Sequence, residues 1–85
     1  MTAAEFEQKW TSWPNGRLAN SQTRFNVARV AHALRDRLNE GRDADEARAR
    51  VMREPYYRED LASAYDPLVG GEELLSDFNS IDAAA

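Results

Sequence analysis

Apolar side chains recur along this chain three and four residues apart, and no run alternates with a period of two for long enough to suggest a strand. Thr2-x-x-Glu5 has the form of a capping box, in which the hydroxyl accepts an early backbone N–H while the glutamate reaches back. Phe6, Trp10 and Trp13 follow at i, i+4 and i+7, which puts them on one face of a first helix. Pro14 stops that helix, and Asn15-Gly16 supplies a turn. The next periodic stretch is the longest. Asn20 or Ser21 can cap it, and it runs to about Asn39. Val27, Val30, Ala31, Leu34 and Leu38 share a stripe about 100° wide, the width of a core-facing helix surface. Gly41 then sits where a left-handed residue commonly ends a helix.

Asp43-x-x-Glu46 repeats the capping-box spacing with Asp in place of Ser or Thr. A third helix follows, with Ala44, Ala47 and Val51 on one face and Arg48, Arg50 and Arg53 largely outside it. Pro55 breaks or kinks this helix, because its ring removes a backbone donor. Tyr57, Leu61 and Ala64 resume the helical spacing to about Tyr65, either as a fourth helix or as a bent continuation of the third. Residues 66–71, with Pro67 and the Gly70-Gly71 pair, read as a connection. A last short helix from Glu72 to about Ser80 carries Leu74, Leu75, Phe78 and Ile81, with Glu72 and Glu73 in the first turn where the helix dipole favours them. The pattern therefore predicts an all-α fold: a small bundle of four to five short helices, the longest about 20–39. It forms a single helical domain over residues 1–82, and residues 83–85 form a disordered, frayed tail.

Length and composition narrow the reading further. A chain of 85 residues has a thin core, burying roughly 60% of the surface it exposes when unfolded. It contains no cysteine, so neither a disulfide nor a thiolate is available. The start of the chain shows no basic stretch followed by an apolar run, and no segment reaches the roughly 18 consecutive apolar residues of a membrane span. The expectation is a soluble, cytoplasmic protein with no membrane contact. The net charge of −4 is unevenly spread, at +3 over residues 1–53 and −7 over residues 54–85. Ten of the eleven cations are Arg, whose forked guanidinium suits carboxylate and phosphate partners.

Candidate chemistry is sparse. The one histidine, His32, has Asp36 a turn later as an orienting partner, but no Gly-x-Ser-x-Gly elbow or equivalent exposed nucleophile accompanies them. Asp43, Asp45 and Glu46 cluster, yet capping accounts for two of them. Residues 66–77 have the length of a calcium loop, but Leu68 and Gly70 occupy positions that need side-chain oxygens. At Gly70-Gly71 the following Glu72-Glu73 would repel a phosphate. No catalytic, metal or cofactor site is expected, and the chain is not expected to be an enzyme.

Binding remains. The acidic C-terminal third interleaves carboxylates with aromatics, and Glu54, Tyr56, Tyr57, Glu59, Asp60, Tyr65, Glu72, Glu73 and Asp77 are the expected contacts for a basic protein surface. Some of these acids can instead face the chain's own arginines. The alternative contact surface lies on the second helix: Phe25, Arg29, His32 and Asp36 form a stripe opposite the core stripe, and Arg24 and Arg35 lie in a neighbouring row. If the second helix is central, both stripes become partly buried. The leading expectation is a small acidic interaction module that binds and regulates or blocks a larger, basic protein. In type, though in no quotable motif, such chains are similar to phage-encoded inhibitors of bacterial defence complexes, anti-CRISPR proteins included. A bacterial regulatory subunit is the variant of this expectation. The alternatives are a DNA-binding regulator using the Arg-rich second helix, although direct nucleic-acid binding fits a net negative chain poorly, and a small enzyme subunit. A homodimer is compatible with each.

Overall fold

Among the described residues, caps and breakers set off five helices: α1 (Ala3–Thr11), α2 (Ser21–Asn39), α3 (Ala44–Arg53), α4 (Pro55–Tyr65) and α5 (Gly71–Asn79). The structure, a computed structural model, describes residues 1–65 and 71–85, apart from the side chain of Tyr65. The connection expected over residues 66–71 lies outside the described residues, except that Gly71 begins α5. No strand occurs among the described residues, so the fold is all-α as the periodicity predicts. None of the described helices is long and apolar enough to cross a membrane.

α2 is the central element. It packs against α1, α3 and α4, and further contacts between α3 and α4, α4 and α5, and α1 and α5 close the bundle. Val27, Val30, Ala31 and Leu34 are buried along the expected stripe, with Leu38 half-buried at its end. Phe6 and Trp10 of α1, Ala47 and Val51 of α3, Leu61 and Ala64 of α4, and Leu74 and Phe78 of α5 meet this stripe in one core. Phe6 and Phe78 pack edge to face, with centroids 6.1 Å apart.

The ends of the helices show why they start and stop. The side chain of Thr2 accepts from the Glu5 N–H and Glu5 accepts from the Thr2 N–H, at 3.0 and 2.9 Å, completing the first capping box. Asn20 caps α2 by accepting from the Thr23 N–H, and Gly41 adopts φ 84° beyond its end, donating to the Leu38 carbonyl. At α3 only half of the second box forms. Asp43 accepts from the Glu46 N–H, but Glu46 turns outward to Arg50 and Arg42. Glu54 separates α3 from α4. Its N–H donates to the Val51 carbonyl, its own carbonyl accepts from the Arg58 N–H, and its extended backbone (ψ 119°) puts Pro55 at the first helical position. Proline suits that position because it has no N–H to leave unpaired. α4 is thus a separate helix.

Two expectations fail at the chain's turns. Trp13 is not on the core face, because α1 ends at Thr11 and Ser12 is extended. The chain doubles back, with Gly16, Arg17 and Leu18 donating to the carbonyls of Ser12, Lys9 and Trp10. A side chain at Gly16 would collide with the Ser12 backbone. Leu18 enters the core in place of Trp13, which stays 68% exposed. Where a frayed tail is expected at residues 83–85, the carbonyls of Ala83 and Ala84 accept from the N–H groups of Ala3 and Ala4, at 2.8 and 3.2 Å. With the capping box, they satisfy all four backbone donors that the start of α1 leaves without helical partners.

Candidate interaction surface

Arg29 lies mid-way along α2, facing α4. It grips Asp60 with both ends of the carboxylate, Nε to Oδ2 at 3.2 Å and Nη2 to Oδ1 at 2.8 Å. Nη2 also donates to Asn26 Oδ1, whose amide donates to Ser63 Oγ, which in turn donates to the Asp60 carbonyl. The guanidinium carbon lies over two rings, 4.8 Å from Phe25 and 4.7 Å from Tyr56. Both contacts follow from helical spacing: Phe25 is four residues before Arg29 on α2, and Tyr56 is four before Asp60 on α4. The salt bridge locks these two pairs together. Asp60 is buried, yet Phe25 and Tyr56 remain 58% and 53% exposed.

The aromatic–arginine contacts continue along α4. Tyr56 meets Tyr57 edge to face at 5.3 Å, and the Arg37 guanidinium lies 5.9 Å from the Tyr57 ring. Arg37 opens a groove of about 490 Å³ between the ends of α2 and α3. Its walls carry the guanidiniums of Arg37, Arg42, Arg50 and Arg53 and the carboxylates of Asp36, Glu40 and Glu54. Among the described residues Arg53 has no ion-pair partner, and Arg37 reaches Glu54 at only 3.5 Å.

The expected acidic surface is divided. Asp60 is neutralised by Arg29, and Glu54 pairs with Arg37. Glu73 and Asp77 lie between α5 and α1. Lys9 Nζ contacts Asp77 at 2.6 Å and Glu73 at 3.0 Å, Arg17 pairs with Glu73 at 2.8 Å, and the buried Trp10 indole donates to Asp77 at 2.9 Å. Burial pushes the Asp77 carboxyl up. The bonds from Lys9 and Trp10 and the charges of Lys9 and Arg17 outweigh it, leaving Asp77 below its ordinary 3.8. The bond from Lys9, with the charge of Arg17, holds Glu73 below 4.5, and the bonds to Asp77 and Glu73 raise Lys9 above 10.5. Glu59 and Glu72 are exposed and form no ion pair with the described residues. Tyr57 is half-buried against the core, and the side chain of Tyr65 lies outside the described residues.

The expected stripe on α2 is brought together in part. His32 does not pair with Asp36: its Nε2 lies 2.7 Å from Glu7 Oε1, because α1 runs alongside and offers a nearer acid, with Arg35 4.0 Å from the same carboxylate. Asp36 faces the groove. Arg24 stacks over the exposed Trp13 ring at 4.4 Å and donates to the Leu18 and Ala19 carbonyls. Arg48, expected outside the core face, is largely covered and donates to the Ile81 carbonyl. Asn26 and Ser63, which order the Arg29–Asp60 pair, carry no signal in the sequence beyond their spacing from those residues. Among the described residues no three His, Asp or Glu side chains gather as metal ligands do. Comparison of the chain with protein-family models, with curated proteins and with solved structures finds no match in any of the three.

Proposed function

We propose that this chain is a protein-interaction module that binds and regulates or blocks a larger protein, and that it does so through the aromatic–arginine surface of α2 and α4. The observation supporting this reading is the exposure of Phe25 and Tyr56 side by side, with the Arg29 guanidinium packed against both rings. Large aromatic side chains are the commonest anchors of protein interfaces. Anchors already fixed in the free protein lose little rotamer freedom on binding. Glu54, Asp60, Glu73 and Asp77, the acids that suggest a basic partner, are each engaged by a cation of the same chain. The partner's charge therefore need not be complementary to theirs. Direct nucleic-acid binding by the second helix has the same weakness, since Arg24 and Arg29 are already committed within the molecule. A blocker of a larger complex, in the manner of a phage-encoded inhibitor, and a regulatory subunit are both forms of such a module.

The test is affinity capture from the native host with the full chain and two variants of unchanged circular dichroism. Phe25→Ser/Tyr56→Ser should lose the specific partner, and Glu59→Lys/Glu72→Lys should keep it. Retention by the first with loss by the second would return the contact to the acidic surface and overturn the assignment to α2 and α4.

A further inference from the structure

Trp13, Phe25 and Tyr56, the large hydrophobic side chains left exposed among the described residues, all stack on two arginines of α2. Arg24 covers the Trp13 ring, and Arg29 lies over both Phe25 and Tyr56. The neighbours run in order across the surface. Arg24 precedes Phe25 on α2, Phe25 shares Arg29 with Tyr56, and Glu59 follows Tyr56 by three residues on the same side of α4. In the middle of this line Arg29 is neutralised by Asp60, and further along α2 His32 turns to Glu7 while Asp36 faces the groove. The two ends are not neutralised. Arg24 pairs with no carboxylate of the described residues: it donates to the Leu18 and Ala19 carbonyls through Nη1, and its Nε and Nη2 have no partner among those residues. Glu59 is exposed and pairs with no cation of the described residues. Arg58 is carried about 160° round α4 from Tyr56 and does not share this face. The line therefore has aromatic rings in its middle, a free positive charge at one end and a free negative charge at the other. We infer that this surface closes on a second copy of the chain, forming a two-fold dimer.

The order of the charges selects that occupant. A two-fold axis lying in the surface and bisecting the line from Arg24 to Glu59 sets the Arg24 of each copy against the Glu59 of the other. Both contacts form together, because in such an interface each contact is made twice. The rings between the charged ends then face their counterparts, with Phe25 central and the Trp13 of one copy towards the Tyr56 of the other. A uniformly acidic or uniformly basic partner would satisfy one end and place a like charge on the other. A nucleic acid would find one incompletely engaged cation here, too few for an affinity that comes from neutralising several phosphates. The inference goes beyond the reading above: a larger partner and the second copy compete for the same rings, so dimerisation holds the free chain's binding surface closed.

Sedimentation equilibrium of the full chain from about 1 to 200 µM tests this, since a small interface of this kind should dissociate at the order of tens of micromolar. The mass should rise from one chain towards two across that range. Phe25→Ser and Glu59→Arg should each weaken the dimer at least about tenfold, the second by setting like charges together at both contacts. Arg24→Glu alone should do the same, and mixing it with Glu59→Arg should restore a mixed dimer, because both contacts again join opposite charges. Should Arg24→Glu disturb the turn it holds, the Phe25 and Glu59 variants decide alone. A chain that stays monomeric throughout, or a dimer indifferent to Phe25→Ser and Glu59→Arg, overturns the inference. A monomer that still needs Phe25 and Tyr56 for partner capture keeps the interaction module and removes the dimer. A dimer sensitive to these variants that captures no partner keeps the dimer and removes the module.

Discussion

Trp10 and Tyr56 have the same kinds of neighbours and opposite fates. Each ring lies beside an arginine and close to an aspartate on a helix contact: Trp10 with Arg17, Lys9 and Asp77 between α1 and α5, Tyr56 with Arg29 and Asp60 between α4 and α2. Trp10 is 2% exposed and Tyr56 53%. The difference lies in what the carboxylate holds. Asp77 accepts directly from the indole N–H, so the ring's polar atom is satisfied in the interior and the ring can be buried whole. Asp60 binds the guanidinium instead, and Tyr56 is left as a lid over the ion pair with much of its area facing water. One arrangement holds the fold together. The other spends its polar contacts on orienting a surface.

Matched substitutions should separate the two. Trp10→Ala removes the largest buried ring and leaves Asp77 with Lys9 alone, and should cost about 3–5 kcal/mol, enough to unfold a domain of this size in a thermal melt. Asp60→Ala leaves Arg29 without its counter-charge. Because Arg29 is a third exposed, the loss should be about 2 kcal/mol in urea titration, below the range for a fully buried pair. Tyr56→Ala should change stability by less than about 1 kcal/mol while abolishing partner capture; a loss as large as that of Trp10→Ala would make the α4 ring structural and erase the contrast. Acid should also discriminate. Asp77 and Glu73 have lowered folded-state pKa values, so their stabilisation is complete above the ordinary values of 3.8 and 4.5 and is lost as the pH falls below them. Lys9 has the opposite sign: its contribution is complete below 10.5 and disappears as the pH rises through its raised value. Melting temperature should therefore drop at both extremes, and Asp77→Asn should flatten the acid limb. Deleting residues 83–85 should have a small effect, about 1 kcal/mol, because water can take the place of the half-buried Ala83 and Ala84 carbonyls that accept from the start of α1.

The helices were legible because apolar periodicity, capping residues and prolines all act locally. Gly41, Asn20 and Thr2-x-x-Glu5 each do in the structure what their chemistry requires. Helical spacing puts Trp13 on the core face only if the helix continues, and the turn through Gly16 depends on carbonyls of α1 and Ser12 that the pattern does not describe. Leu18 was invisible as a core residue for the same reason, being one isolated leucine in a turn. The lopsided charge is a plain count along the sequence, but its meaning is tertiary. Lys9, Arg17, Arg29 and Arg37 reach across the bundle to the acids of the C-terminal third, so the two poles are joined internally. Spacing could place Phe25 with Arg29 and Tyr56 with Asp60, but only the packing of α2 on α4 could bring the two pairs into one surface.

The backbone pairing between the two ends of the chain has a mechanical side. Thr2 and Ala83 form a parallel bridge, flanked by the bonds from Ala3 and Ala4 and by the Asp82 N–H donating to the Met1 carbonyl. Tension applied between the first and last residues would load these bonds in shear, side by side, so that they must give way together before any helix is drawn out. A small all-helical protein held in this way should resist stretching with one abrupt initial rupture, where an unfastened bundle would extend gradually.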